Sequence, residues 1–180
     1  MSDEADELKE AAERAKEVRA LAPVSLTMAI LAVLVATVTL LGHRAHTEEL
    51  LLQTQATDQW SYYQAKNMRR NNLEALDEVL TALENTKEER AGEVRKHFHE
   101  EIDKYRDQQK DIQAEAKDFE AERDKASHRA NRFDLGEVFL EIALVVTSIT
   151  LLTERRAYWY FGFVLAAIGI LCAGSGLLLR

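Results

Sequence analysis

The chain has 180 residues, a formal net charge of -8 and a single cysteine, and 30% of its residues are charged. The acidic balance argues against nucleic-acid binding, which needs a concentrated basic face, and one cysteine cannot form an intrachain disulfide. The mean hydropathy of -0.28 would suit a soluble protein, but the charge is concentrated in two regions, and three long segments carry almost none.

Residues 1–22 form an acidic tail whose apolar residues recur with helical spacing. The tail lacks the basic start and the cleavage site of a secretory signal, so we expect a short cytoplasmic helix at the membrane surface. Pro23, the only proline, then predicts a break, because proline inside a helix removes one backbone hydrogen bond.

Two apolar segments flank a charged central region. Residues 23–42 carry no charge, and about twenty such residues cross a bilayer core of about 30 Å, so they predict the first transmembrane helix. Residues 135–152 predict the second, although Glu137 and Glu141 lie in its first two turns. Acids inside a span usually face other helices or water rather than lipid.

Residues 157–179 predict the third transmembrane helix, after a short basic loop at 153–156. This helix opens with aromatic residues of the kind found at the membrane–water interface, namely Tyr158, Trp159 and Tyr160. Small residues then recur at spacings of three and four and permit close helix contact; they are Gly162, Ala166, Gly169, Ala173 and Gly176. The pattern leaves open whether this stripe packs the spans of one chain or joins copies of the chain.

Charges beside the spans bear on the membrane orientation. The basic residues of the tail, with Arg155 and Arg156 in the short loop, favour a cytoplasmic N-terminus and an extracytoplasmic central region by the positive-inside rule. Basic residues that flank the central region at the membrane, among them Arg44 and Arg132, favour the opposite orientation. We expect the first arrangement.

The central region, residues 43–134, is rich in helix-forming residues and contains no proline. An asparagine that can close one helix is followed by a capping box, Thr86 with Glu89, which predicts a turn within 85–92. Gly92 is an alternative break. A turn at this place gives two arms of similar length, so the hairpin would leave the membrane after one span and return at the next.

A seven-residue apolar repeat along the second arm is typical of a coiled-coil seam. The predicted seam residues of this arm are Phe98, Ile102, Tyr105, Ile112, Ala116, Phe119, Ala126 and Phe133, and those of the first arm are Leu73, Leu76, Leu80 and Leu83. Gln109 and Arg123 interrupt the repeat. We expect the stripe to pack within the hairpin or between protomers; a groove for a partner helix is the alternative.

Candidate chemistry is confined to the membrane end of the hairpin. His43 and His46 end the first span, and Glu137 and Glu141 begin the second, each pair on one helix face. Histidine with carboxylate can bind a divalent metal or relay protons, but the simpler interpretation is that all four are interfacial. We therefore expect no cofactor, no confident metal site and no catalytic residue.

Two segments carry a resemblance to a known family. The segment Asp58-Gln-Trp-Ser-Tyr-Tyr-Gln-Ala-Lys66 lies between the first span and a long charged helix, and Glu137-Val-Phe-Leu-Glu-Ile-Ala-Leu-Val-Val-Thr-Ser-Ile149 lies in the second span. Together they resemble the bacterial membrane proteins grouped as a domain of unknown function, DUF4337, over roughly residues 23–179. The resemblance implies a three-span protein of the bacterial inner membrane with a helical insert. It implies no activity.

The sequence thus predicts an all-α membrane protein with three transmembrane helices and a long antiparallel helical (coiled-coil) hairpin inserted between the first and the second. We expect a non-enzymatic membrane scaffold whose partners are the lipid bilayer and either copies of itself or another membrane complex. The alternative is an ion or proton pathway that uses the histidines and acids at the membrane face.

Overall fold

The computed structural model describes the backbone of residues 2–83 and 89–178, and the side chains of residues 21–82 and 92–178. Within these ranges the chain forms three α-helices and no β-strand: α1 (Ser2–Leu83), α2 (Glu89–Thr153) and α3 (Arg156–Leu178). The all-helical fold class is therefore confirmed. All three helices contain a stretch long enough and apolar enough to cross a membrane, which indicates a membrane protein.

Two expected interruptions need comment. The predicted break at Pro23 is wrong, because α1 continues through this residue. The missing N–H of one proline leaves the other backbone hydrogen bonds of the helix in place. The centre of the predicted turn, including Thr86, lies outside the described residues; α2 begins at Glu89, and Gly92 lies inside it.

The chain divides into two compact units. We call Met1–His46 with Lys125–Arg180 the three-helix unit, and Thr47–Asp124 the helix-pair unit. Two predicted boundaries, between tail and first span at 22/23 and between first span and first arm at 42/43, lie inside α1. The boundary between second arm and second span at 134/135 lies inside α2. Both helices therefore contribute to both units.

The core of the three-helix unit is built largely from small and branched residues. Along α1 every seventh residue is buried, and these residues are Val24, Leu31, Val38 and Ala45. The last three of them pack in a cluster with Ala130, Phe133, Leu140 and Ala143 of α2 and with Ala166 and Ala173 of α3. A short link then joins α2 to α3, in which Glu154 adopts a left-handed backbone conformation (φ 58°) and donates its N–H to Thr150 O at 2.8 Å.

In the helix-pair unit, polar contacts join α1 to α2. The separation of the bonded residues along the chain becomes smaller as the contacts proceed along α1 from Gln53 to Asp77. Arg123 bonds to Gln53, 70 residues away, Trp60 bonds to Glu120, 60 residues away, and Arg95 bonds to Asp77, 18 residues away. Falling separation means that the two helical segments of this unit run antiparallel.

The predicted seam residues occupy different environments. Ile102, Ile112, Ala116, Ala126 and Phe133 are buried, whereas Phe98, Tyr105, Phe119, Leu73 and Leu80 are half-buried. The side chain of Leu83 lies outside the described residues.

Leu76 is 51% exposed, so its packing within the pair is limited, and its packing between protomers stays a prediction. The next residue, Asp77, is half-buried, and its carboxylate lies 3.2 Å from Arg95 Nε of α2. Leu73, Leu76 and Leu80 follow three-four spacing, and Leu73, Asp77 and Leu80 follow four-three spacing, so the spacing alone does not distinguish residue 76 from residue 77.

Candidate functional site

Two polar pairs join α1 to α2 at the predicted membrane face of the three-helix unit. Thr39 Oγ1 donates to Glu137 Oε1 at 2.6 Å, and His46 Nε2 lies 3.0 Å from Asp134 Oδ2. Between these pairs, a Cβ added at Gly42 would lie 3.3 Å from Asp134 Oδ1. Glycine therefore allows the close approach of the two helices that the hydrogen bonds require.

His43 and Glu141 are both exposed. Among residues 21–82 and 92–178, no three His, Cys, Asp or Glu side chains are placed to hold a metal ion. The four predicted residues are thus divided between two separate hydrogen-bonded pairs and two exposed positions. This arrangement gives no support to the ion or proton pathway.

The small-residue stripe of α3 faces α2 of the same chain. Its five members are the buried residues of α3. A Cβ added at Gly169 would lie 2.9 Å from Gly136 O, and a Cβ added at Gly136 would lie 2.8 Å from Ala173 Cβ. Backbones this close exclude any larger side chain, so the observed contacts use the stripe for packing within one chain.

Gly136 was not among the packing residues predicted from the sequence, although Gly136 is as tightly enclosed as the glycines of the stripe. A usable signal was present, since Gly136 and Ala143 are small residues seven positions apart on one helix face. That signal is weak in an otherwise apolar span rich in β-branched residues.

The interfacial aromatic residues differ in their contacts. Tyr158 and Tyr160 are exposed, whereas Trp159 is half-buried. The indole Nε1 of Trp159 donates to Thr27 Oγ1 at 3.2 Å, and its ring centroid lies 5.3 Å from that of Phe163. Trp159 therefore connects α3 to α1, while the two tyrosines are free to meet a membrane interface.

A buried polar cluster lies at the middle of the helix-pair unit. Gln109 is only 3% exposed; its amide Nε2 donates to Asn67 Oδ1 at 3.2 Å, and its Oε1 accepts from Arg70 Nη1 at 2.8 Å. Arg70 Nη2 also donates to Asn67 Oδ1 at 2.8 Å. What the sequence shows as an interruption of the apolar repeat is thus a set of hydrogen bonds that joins the two helices.

The motif that carries the family resemblance packs against the second helical segment. Trp60 Nε1 donates to Glu120 Oε1 at 2.8 Å, and the rings of Trp60 and Tyr63 meet edge to face with centroids 5.6 Å apart. Lys66 Nζ lies 5.0 Å from the ring centroid of Tyr105. These contacts explain the unusual residue types of the motif by packing and cation–π attraction within this unit.

The outer surface of the helix-pair unit carries local ion pairs. Lys104 donates to Glu101 at 2.9 Å and thereby lowers the pKa of Glu101, while Lys110 does the same to the pKa of Asp107. Glu101 is half-buried and the other three side chains are exposed, and water and salt weaken such contacts. They make the surface soluble and define no site.

The structure therefore defines an all-helical protein with three helices apolar enough to cross a membrane and a charged, internally bonded helix pair. The chain belongs to the family described as a domain of unknown function (DUF4337), whose model matches residues 20–179. The match includes both units and confirms the resemblance carried by the Asp58–Lys66 motif and the second apolar segment. No curated protein and no solved structure matches the chain.

Proposed function

We propose that this protein is a non-enzymatic integral membrane scaffold. In this proposal three apolar helices anchor the chain in the bacterial inner membrane with the N-terminus in the cytoplasm. The helix-pair unit acts outside the bilayer as a coiled-coil hairpin. The chain assembles through that unit, with copies of itself as the first expectation and another membrane complex as the second.

The distribution of apolar side chains in the three-helix unit supports the proposed membrane anchor. Its buried residues are mostly small, whereas large side chains point outward: Val33 is 67% exposed and Leu171 is 72% exposed. Such a surface would be unfavourable in water, because each apolar Å² exposed costs about 25 cal/mol. A lipid environment removes this cost and supports a membrane anchor.

Polar groups inside the helix-pair unit support a structural role. Arg70, Asn67 and Gln109 bond one another, and the indole of Trp60 is bonded to Glu120. Groups that are already hydrogen-bonded in this way hold two helices together and favour one alignment of the pair.

Exposed apolar residues along α1 support assembly through the helix-pair unit. Tyr62, Met68, Leu76 and Val79 are each at least half exposed on an otherwise charged segment. Several large apolar side chains exposed along one helix are typical of sites where another protein binds. A second copy of the chain is the simplest partner, since most oligomers of soluble domains are formed from identical subunits.

The native mass of the full-length protein in lipid nanodiscs tests this proposal. We expect a discrete oligomer that the double substitution Met68→Glu and Leu76→Glu converts to a monomer, because it places charge on the exposed apolar surface. The matched control is the double substitution Gln64→Glu and Asn71→Glu, which adds the same two charges at exposed polar positions of the same helix. A wild-type monomer would contradict self-assembly, and release of the protein from membranes by an alkaline wash would contradict the anchor.

A further inference from the structure

A cavity of about 380 Å³ lies in the three-helix unit, beside the link between α2 and α3. Pro23 and Val24 of α1 and Trp159 of α3 give it apolar walls. Thr150 near the end of α2, Glu154 in the link and Arg156 at the start of α3 give it polar ones. The volume is that of a small-molecule site.

Thr150 is the feature that points to a ligand. The residue is 1% exposed, and its hydroxyl has no hydrogen-bond partner. Neighbouring threonines of α2 behave differently: Thr147 donates to Ala143 O at 2.7 Å, and Thr153 donates to Ile149 O at 2.8 Å. A buried hydroxyl without a partner is costly, so a molecule in the cavity that accepts its proton would stabilise the site.

The charged residues of the cavity define which molecule fits. Arg156 begins α3 and lines the cavity, so its guanidinium and the positive end of the helix dipole favour an anion there. Guanidinium groups bind phosphate with matched geometry. Glu154 adds a negative charge to the lining, and the left-handed backbone at this residue (φ 58°) is an uncommon conformation for glutamate.

We propose that this cavity binds the headgroup of a phospholipid that carries both a phosphate and an ammonium group. Arg156 and the Thr150 hydroxyl bind the phosphate, and Glu154 binds the ammonium. Trp159, with Pro23 and Val24, contacts the glycerol and the first acyl carbons. A lipid suits the site better than a free phosphate compound, because the charged groups lie at the ends of apolar helices and beside an interfacial aromatic residue.

The inference rests on the membrane location proposed above and is independent of the scaffold role. Its test measures binding of defined molecules to the full-length protein in detergent, by native mass spectrometry and by the shift in thermal unfolding. The probes are phosphatidylethanolamine, phosphatidylglycerol, which lacks the ammonium, and glycerophosphoethanolamine, the soluble headgroup without acyl chains. We expect the first to bind about tenfold more tightly than either of the others, since each lacks one class of contact.

Three substitutions and one control assign the contacts. Arg156→Gln is expected to weaken binding of phosphatidylethanolamine by about tenfold, whereas Arg155→Gln, a neighbouring arginine outside the cavity lining, leaves it unchanged. Glu154→Gln removes the preference for phosphatidylethanolamine over phosphatidylglycerol. Thr150→Val keeps the shape and removes the hydroxyl, so the lipid-free protein unfolds at the same or a higher temperature while the stabilisation by lipid shrinks.

Several outcomes would overturn the inference. They are equal binding of the two lipids by the wild type, equal losses in the Arg155 and Arg156 variants, or an unchanged lipid response in the Thr150 variant. Binding of the soluble headgroup as tight as that of the lipid would overturn the assignment to a lipid. These results would leave the scaffold proposal standing if the protein still enters nanodiscs as an oligomer, and a protein that fails to enter nanodiscs contradicts the scaffold proposal itself.

Discussion

The helices inside one unit of this protein are held together differently from the helices inside the other. In the three-helix unit, small residues such as Gly136 and Gly169 bring helix backbones into contact, and the large apolar side chains lie outside. In the helix-pair unit, half-buried side chains such as Tyr105 and a bonded polar cluster around Gln109 fill the space between the helices, and charges lie outside. Under the proposed membrane location this difference has a physical reason, because helices in lipid associate through close contact, whereas helices in water associate by covering apolar surface.

The largest effect should come from adding bulk where the backbones touch. Gly136→Leu places a side chain where even a Cβ would lie 2.8 Å from Ala173 Cβ and 2.9 Å from Gly169 O. We expect a loss of about 3 kcal/mol or more in stability, seen as a large fall in the unfolding temperature of the protein in nanodiscs.

Gly174→Leu is the matched control for this prediction. A Cβ at Gly174 meets nothing within 4 Å, so the same residue change on α3 should leave the unfolding temperature nearly unchanged or raise it slightly by helix propensity. Equal losses in the two variants would mean that close backbone contact does not hold the three-helix unit together.

The next effect should come from the buried polar cluster of the helix-pair unit. Gln109→Ala leaves Arg70 and Asn67 without the partner that bonds them across the pair, at a cost of about 2 kcal/mol. The measurement is chemical unfolding of the full-length protein followed by circular dichroism. Gln64→Ala, at an exposed position of the same unit, is the control. If both variants unfold alike, the cluster contributes nothing to this unit.

A smaller effect is expected from the hydrogen bond between α1 and α2 in the three-helix unit. Thr39→Val removes the donor that lies 2.6 Å from Glu137 Oε1 and should cost about 1 kcal/mol, since such bonds are modest within membranes. Thr37→Val is the control, because Thr37 is exposed and donates only to its own helix, at Val33 O. A thermal scan in nanodiscs that ranks Thr37→Val as the more harmful change would contradict this assignment.

The smallest effect should come from the surface ion pairs. Lys110 lowers the pKa of Asp107; a carboxyl with a lowered pKa stabilises the folded state above its unfolded-state pKa, and this contribution is lost as the pH falls through the folded-state pKa. Asp107→Asn should therefore leave the unfolding temperature at neutral pH and physiological salt almost unchanged. Any difference in unfolding temperature between this variant and the wild type should become smaller in acid. A difference that grows in acid would contradict the predicted direction of the pH dependence.

The sequence predicted those features that depend on one segment alone. A long uncharged stretch such as 157–179 indicates a membrane-spanning helix by its length, and the all-helical class follows from the many helix-forming residues. The coiled-coil character, the self-association and the membrane orientation stay predictions.

Features that depend on how two helices are aligned were not predicted. The bond between Thr39 and Glu137 is formed by residues 98 apart in the chain, and no local pattern indicates which threonine faces which acid. In the sequence, Gln109 interrupts an apolar repeat, and only the structure shows that it forms hydrogen bonds with residues of the other helix. The unpartnered hydroxyl of Thr150 likewise becomes visible only when the packing around it is known.

The two tryptophans of the chain fall one in each unit, and each is tied to a second helix through its indole N–H. Trp60 reports on the helix-pair unit through Glu120, and Trp159 reports on the three-helix unit through Thr27. The protein therefore contains two natural optical probes. With Trp60→Phe or Trp159→Phe as background, intrinsic fluorescence would follow each unit separately and show whether the two units melt together or one after the other.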